Sequence, residues 1–151
     1  TKAYNGINYI VAVTVSAGSE RVTGFKRIVI SSSGKTKNSN PSLSGISRGG
    51  STLSNGSSLG STEAEFTANV SGGSFETFSY KDALGNTKSG REDVLITWFT
   101  TEGLWKNTRT YGGNLVNLFT PPNPKVASTV TIAVVAHDGR GGVEWSSVNL
   151  Q

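Results

Sequence analysis

VTIAVVAHDGRGGVEWSSVNLQ, residues 130–151, is the stretch from which the fold is read. Val130, Ile132, Val134 and Ala136 alternate with Thr131, Ala133, Val135 and His137, the period of two that a β-strand imposes on its side chains. Asp138-Gly139-Arg140-Gly141-Gly142 follows, and three glycines in five residues supply the positive-φ positions that a hairpin turn uses. Val143, Trp145, Val148 and Leu150 form the return strand. The slip in their spacing between Trp145 and Val148 predicts a β-bulge there.

Residues 9–30, YIVAVTVSAGSERVTGFKRIVI, repeat the pattern. Tyr9, Val11, Val13 and Val15 fall on Val130, Ile132, Val134 and Ala136, and Ala12 falls on Ala133. With one extra residue in the first turn, Phe25, Ile28 and Ile30 fall on Trp145, Val148 and Leu150. One hairpin motif seen twice, a domain length apart, is what a tandem array of modules leaves behind.

The 151 residues suffice for one domain with a proper core, or for one domain and a piece of another. Cysteine is absent, which excludes a disulfide framework, a thiolate metal site and a cysteine nucleophile. Nineteen glycines, abundant serine and a charged fraction of only 16% disfavour helix and suit an exported β-rich protein. No stretch is long and apolar enough to span a membrane. A chain that opens on Thr1 is expected to have lost a leader or an upstream domain. The net charge of +4 is thinly spread, with no basic stripe interleaved with aromatics, so nucleic acid is not an expected partner.

Outward from the terminal hairpin, the chain divides into a first hairpin over residues 1–31, a polar linker over 32–40, and a domain over 41–151. Leu43 and Ile46 seat the first strand of that domain, and the Gly- and Ser-rich run after it is loop with a short edge strand near Leu53. Ala64, Phe66, Ala68 and Val70 make a half-buried strand, Ser71-Gly72-Gly73-Ser74 turns the chain, and Phe78 and Tyr80 mark the next strand. Residues 82–92 read as a long polar loop. DVLITWFTT, residues 93–101, is the most β-prone run, with Val94, Ile96 and Trp98 on one face and Trp98 in the core. Leu115, Asn117 and Phe119 form a strand stopped by Thr120-Pro121-Pro122-Asn123-Pro124, because proline cannot donate to a ladder. No helix is expected. The pattern is all-β, an antiparallel β-sandwich preceded by an extra hairpin.

The segments NPSLSGI, ITWFTTEG, FTPP and VVAHDGRGGVEW resemble the bacterial immunoglobulin-like modules of exported and lipid-anchored surface proteins. The likeness covers residues 40–151, with the first hairpin similar to the end of a preceding module. It implies an immunoglobulin-like sandwich in which Trp98 packs on apolar side chains, since the cysteine pair of antibody-type domains is missing.

Chemistry is sparse. Gly45-Ile46-Ser47-Arg48-Gly49 and Gly56-Ser57-Ser58-Leu59-Gly60 match G-x-S-x-G, yet neither has the strand before and helix after that a nucleophile elbow requires. Gly34-Lys35-Thr36 lacks the earlier glycine of a P-loop and reads as linker. The acids Glu63, Glu65, Asp82, Glu92, Asp93 and Asp138 show no calcium-loop spacing. No catalytic, cofactor or metal site is therefore expected. The candidate ligand contacts are Trp105 and Tyr111, which could form an aromatic platform or lid the end of the sandwich, and His137 and Arg140 at the hairpin tip.

The function expected is a non-enzymatic spacer or interaction module of an exported bacterial protein in the periplasm, the outer membrane or the cell surface. Its partners would be other proteins or neighbouring modules, and a membrane only through an anchor outside this sequence. Two alternatives stand beside it: a carbohydrate-binding or adhesive module using the loop aromatics, and a virion or appendage structural protein. An isolated hairpin is marginal in water. Residues 1–31 are accordingly expected to dock on a further domain or to self-associate.

Overall fold

The computed structural model describes residues 2–32, 37–124 and 128–151, so Gly34-Lys35-Thr36 lies outside the described residues. It is built of antiparallel sheets. In chain order the elements are α1 (Lys2–Asn5), β1 (Ile7–Ala17), β2 (Glu20–Ile30), β3 (Leu43–Arg48), β4 (Ser51–Thr52), β5 (Ala64–Val70), β6 (Thr77–Lys81), β7 (Thr87–Arg91), β8 (Leu95–Thr100), β9 (Leu104–Trp105), β10 (Arg109–Thr110), β11 (Val116–Thr120), β12 (Val130–His137) and β13 (Val143–Leu150), with a 3-10 turn at Gly72–Ser74. The chain forms two compact units: Thr1–Asn38 with Thr77–Arg91, and Ser39–Glu76 with Glu92–Gln151.

The larger unit holds two sheets, ordered β10-β8-β12-β13 and β4-β3-β5-β11-β9. Alternation along β12 sends Val130, Ile132, Val134 and Ala136 inward, all fully buried. From the same sheet come Ile96, Trp98 at 3% exposure, Val148 and Leu150, with Val94 just ahead of β8; the other sheet supplies Ile46, Phe66, Ala68 and Phe119. These form one core cluster. The edges of both sheets are short or covered. β10, β4 and β9 are two residues each. Along β13 run the residues that follow β4: Gly56 N donates to Asn149 O, Gln151 N to Ser57 O, and Leu59 N to Gln151 O.

In the smaller unit β1 and β2 pair along their whole length, from Ile7 with Ile30 to Ala17 with Glu20. Gly18, at φ +60, supplies the left-handed residue that a two-residue turn needs. Both strands are exposed except for half-buried Val11. β6 pairs with β7. Asp82 shapes their turn: its Oδ1 accepts from the N–H groups of Leu84 and Asn86. The side chain of Asn5 completes this unit by acting as a peptide: its Nδ2 donates to Lys81 O and its Oδ1 accepts from Lys81 N, each at 2.7 Å. The Lys81 ammonium lies 5.5 Å from the centre of the Tyr4 ring, a cation–π distance.

Three sequence expectations require correction. The supposed bulge is absent: β13 pairs with β12 without interruption from Val143 to Leu150. Trp145 and Val148 stand three residues apart and so face opposite ways, Trp145 65% exposed and Val148 5%. The polar run 82–92 is half strand, because β7 pairs with β6 although its side chains show no apolar alternation. A one-turn helix, α1, exists, closed by Gly6 N donating to Lys2 O at 2.8 Å; one turn is too short for a periodicity to reveal.

Register also re-aligns the two hairpins. Val148 lies opposite Ile132, and Ile28 lies opposite Tyr9. Tyr9 therefore corresponds to Ile132, two residues on from the match made by sequence alone. The faces are unchanged by a shift of two, so Ile7, Tyr9, Val11, Val13, Ile28 and Ile30 occupy the places of the core residues of β12 and β13.

Candidate functional site

Two clusters and one sheet face gather the chemically distinctive residues of the larger unit. The first cluster is the loop joining β12 to β13. Asp138 Oδ1 accepts from the N–H groups of Arg140 and Gly142, at 2.8 and 2.7 Å, which folds the loop around a buried carboxylate. Gly142 has no room for a side chain, since a Cβ there would lie 2.0 Å from Asp138 Oδ2 and 3.0 Å from Pro41 Cδ. The loop presents Arg140 to Glu92 at 3.0 Å and to Glu76 at 3.5 Å.

Those two acids stand where the chain leaves and re-enters the larger unit, at 76–77 and 91–92. Glu92 N donates to Glu76 O at 2.8 Å, and Ser39 N, at the third crossing, donates to Glu76 Oε2 at 3.4 Å. Arg140, Glu92 and Glu76 thus form one ion cluster within the larger unit. Burial raises the pKa of Glu92 above its ordinary 4.5, the charges of Asp138 and Glu76 raise it further, and Arg140 opposes them. Glu92 Oε2 is buried with no hydrogen-bond partner among the described residues.

A carboxyl whose pKa is higher folded than unfolded binds more protons in the folded state. Its contribution to stability is present below pH 4.5 and is lost as pH rises through the folded value. Glu92→Gln is expected to remove this loss, flattening midpoint against pH from 4.5 toward neutrality. Denaturant titrations of both proteins across that range check it; parallel profiles would refute the assignment.

The second cluster is aromatic. Trp105 on β9 packs its ring against Phe119, Trp98 and Phe66, at centroid distances of 4.7, 4.8 and 5.5 Å. Its indole N–H is buried without a partner among the described residues. Tyr111 is not joined to it: Tyr111 follows β10, at the edge of the other sheet, and is exposed. Trp105 is therefore a wall of the core, and Tyr111 a surface side chain.

His137, half-buried, ends β12 on the outward face of the four-stranded sheet, opposite Leu95 and Val143. Arg140 is in the ion cluster. On the same outward face as His137, register aligns Thr97, Val135 and Trp145 in one row and Phe99 with Ala133 in the next. Phe99 and Trp145 are both exposed there. This is the aromatic surface that the geometry assembles, and sequence reading missed it because Trp145 was placed with the inward residues.

The other singled-out residues hold local structure. Ser47 lies within β3 and donates to Asn69 Oδ1. Ser58, in the segment along β13, accepts from Gly60 N at 3.3 Å. Glu63 accepts from the Thr120 hydroxyl, and Asp93 accepts from Gly112 N. Among the described residues no three acidic or histidine side chains form a metal-holding group, and no helix is long and apolar enough to cross a membrane. Compared with known proteins, the chain matches no family model, no curated protein and no solved structure.

Proposed function

We propose that the chain is a non-enzymatic immunoglobulin-like module of an exported bacterial surface or envelope protein, serving as a spacer and interaction domain. The observation that carries the reading is strand order. β3-β5-β11-β9 follows the A-B-E-D order of an immunoglobulin sheet and β10-β8-β12-β13 the C′-C-F-G order, with Trp98 on the strand that corresponds to C. The first sheet departs from that order in carrying a further edge strand, β4, outside β3, and β9, in the D place, precedes β10, in the C′ place. The cysteine pair is also missing, and in its place the Trp98 ring packs, tilted, against that of Trp105. The interaction part of the reading rests on the exposed Phe99 and Trp145 of the outward sheet face.

The test is whether the larger unit folds alone. Residues 39–151 with 77–91 replaced by Asn-Gly are expected to unfold cooperatively, because Glu76 and Glu92 are already hydrogen-bonded as neighbours across a turn. Failure of this trimmed protein to fold would remove the module reading. A glycan array is expected to give no signal; binding abolished by Tyr111→Ala, whose side chain is exposed, would put a carbohydrate-binding module in its place. Open-ended assembly of the full chain into fibres or shells would favour an appendage or virion protein.

A further inference from the structure

We propose that β1 is an open sheet edge that takes the β1 strand of a second copy of this chain, joining two hairpins into one antiparallel sheet ordered β2-β1-β1-β2. This goes beyond the module reading and stands without it, since it rests on strand edges and register and not on the immunoglobulin likeness.

Edge treatment elsewhere in the chain makes β1 anomalous. A free edge exposes a row of N–H and C=O groups that template pairing, and proteins guard it with short strands, charges or a covering segment. In the larger unit three edges are two residues long and β13 is covered by residues 56–59. The β6–β7 hairpin carries Lys81, Lys88 and Arg91 in five-residue strands. β2 carries Glu20, Arg21, Lys26 and Arg27 in eleven residues. β1, INYIVAVTVSA, is as long and has no charge, no proline and, among the described residues, no strand on its outer side.

The internal counterpart shows which edge is meant to be filled. β12 also carries no Asp, Glu, Lys or Arg, and it sits inside its sheet, paired with β13 on one side and β8 on the other. β1 matches β12 by register, and its β8-side edge is the one left open.

A second copy suits that edge on charge. Pairing β1 with β1 antiparallel about a two-fold axis places two uncharged strands at the centre and all eight charged side chains of the two β2 strands on the flanks. With Ala12 at the axis, Val11 lies opposite Val13 and Tyr9 opposite Val15 of the other copy, an even offset that keeps both apolar faces on one side. Lys26 also points to that face, but on the outer strand, away from the two-fold axis. An overlap of eleven residues runs about 37 Å and makes roughly ten main-chain hydrogen bonds.

The experiment uses the full chain. Light scattering across a dilution series is expected to show a dimer that dissociates on dilution. Hydrogen exchange separates this geometry from any other dimer. In a lone hairpin the outward N–H groups of β1 exchange freely; in the proposed dimer they are slowed by about tenfold or more, with protection lost on dilution, whereas the outward N–H groups of β2 stay unprotected. Val11→Lys with Val13→Lys, which sets like charges opposite across the axis, is expected to leave a monomer, and Thr23→Lys on β2 to leave the dimer intact. All three tryptophans lie in the larger unit, so their fluorescence verifies that it remains folded in each variant. A monomer at high concentration, a dimer whose outward β1 amides exchange freely, or a dimer that survives the β1 lysines would each overturn the proposal.

Discussion

Trp98→Ala is expected to lower the stability of the larger unit by about 3–5 kcal/mol, the cost of emptying a large aromatic site in a packed core. Trp98 is buried at the meeting of the two sheets, its ring 4.8 Å from that of Trp105. Its Nε1 donates to the hydroxyl of Thr110, itself buried, at 3.1 Å. Truncation therefore opens a cavity and leaves a buried hydroxyl without its partner, two separate penalties. Whole domains are stable by only about 5–15 kcal/mol, so the variant should lose much of its denaturant midpoint or fail to fold. Trp98→Phe, which refills part of the volume but not the hydrogen bond, should fall between. A midpoint for Trp98→Ala close to that of the parent would remove Trp98 from the core.

The second large effect is expected at Gly103, which turns the chain between β8 and β9 at φ +82. A Cβ there would lie 2.5 Å from Phe119 Cζ and 2.7 Å from the backbone oxygen of Thr120. Gly103→Ala thus combines a left-handed backbone, about 1–2 kcal/mol for a residue with a Cβ, with overpacking against a fully buried ring, a further 1–3 kcal/mol or so. Gly112 separates the two contributions. At φ +70 it has the same backbone requirement, but a Cβ there meets nothing within 4 Å. Gly112→Ala should show the backbone part alone, and the difference between the midpoints of the two variants measures the packing part. Equal losses would mean that the Phe119 contact yields without cost.

What could be read from sequence was what alternation encodes. β12, β8 and β5 bury alternate side chains because each has one face on the core, and their apolar residues at every second position say so directly. Proline after Thr120 ended β11 where expected. β7 was illegible because TKSGR has no apolar face, so pairing with β6 leaves no trace in hydropathy. The spacing from Trp145 to Val148 was misread because an exposed tryptophan looks, in sequence, like a buried one.

Long-range polar groups were beyond reach for a different reason. Arg140 meets Glu92 and Glu76 across 48 and 64 residues, and Asn5 meets Lys81 across 76, with no local spacing that could announce either. For the same reason the grouping of 77–91 with 1–38 was invisible. Of the residues proposed at the site, Arg140 and Trp105 turned out to be held by structure, and the Phe99–Trp145 face emerged only once register was known.

The hydrogen bond between Glu76 and Glu92 has a bearing on how this chain can change. Because the stem is closed by the larger unit's own contacts, the excursion between them is a loop whose ends are already held together. Its conformational cost grows only with the logarithm of its length, about 0.6 kcal/mol for each doubling. A lineage could lengthen, shorten or exchange residues 77–91 at little thermodynamic expense to its host, while a single exchanged side chain at Gly103 or Trp98 would threaten the whole. The segment is a place where new surface can be tried without risking the fold that carries it.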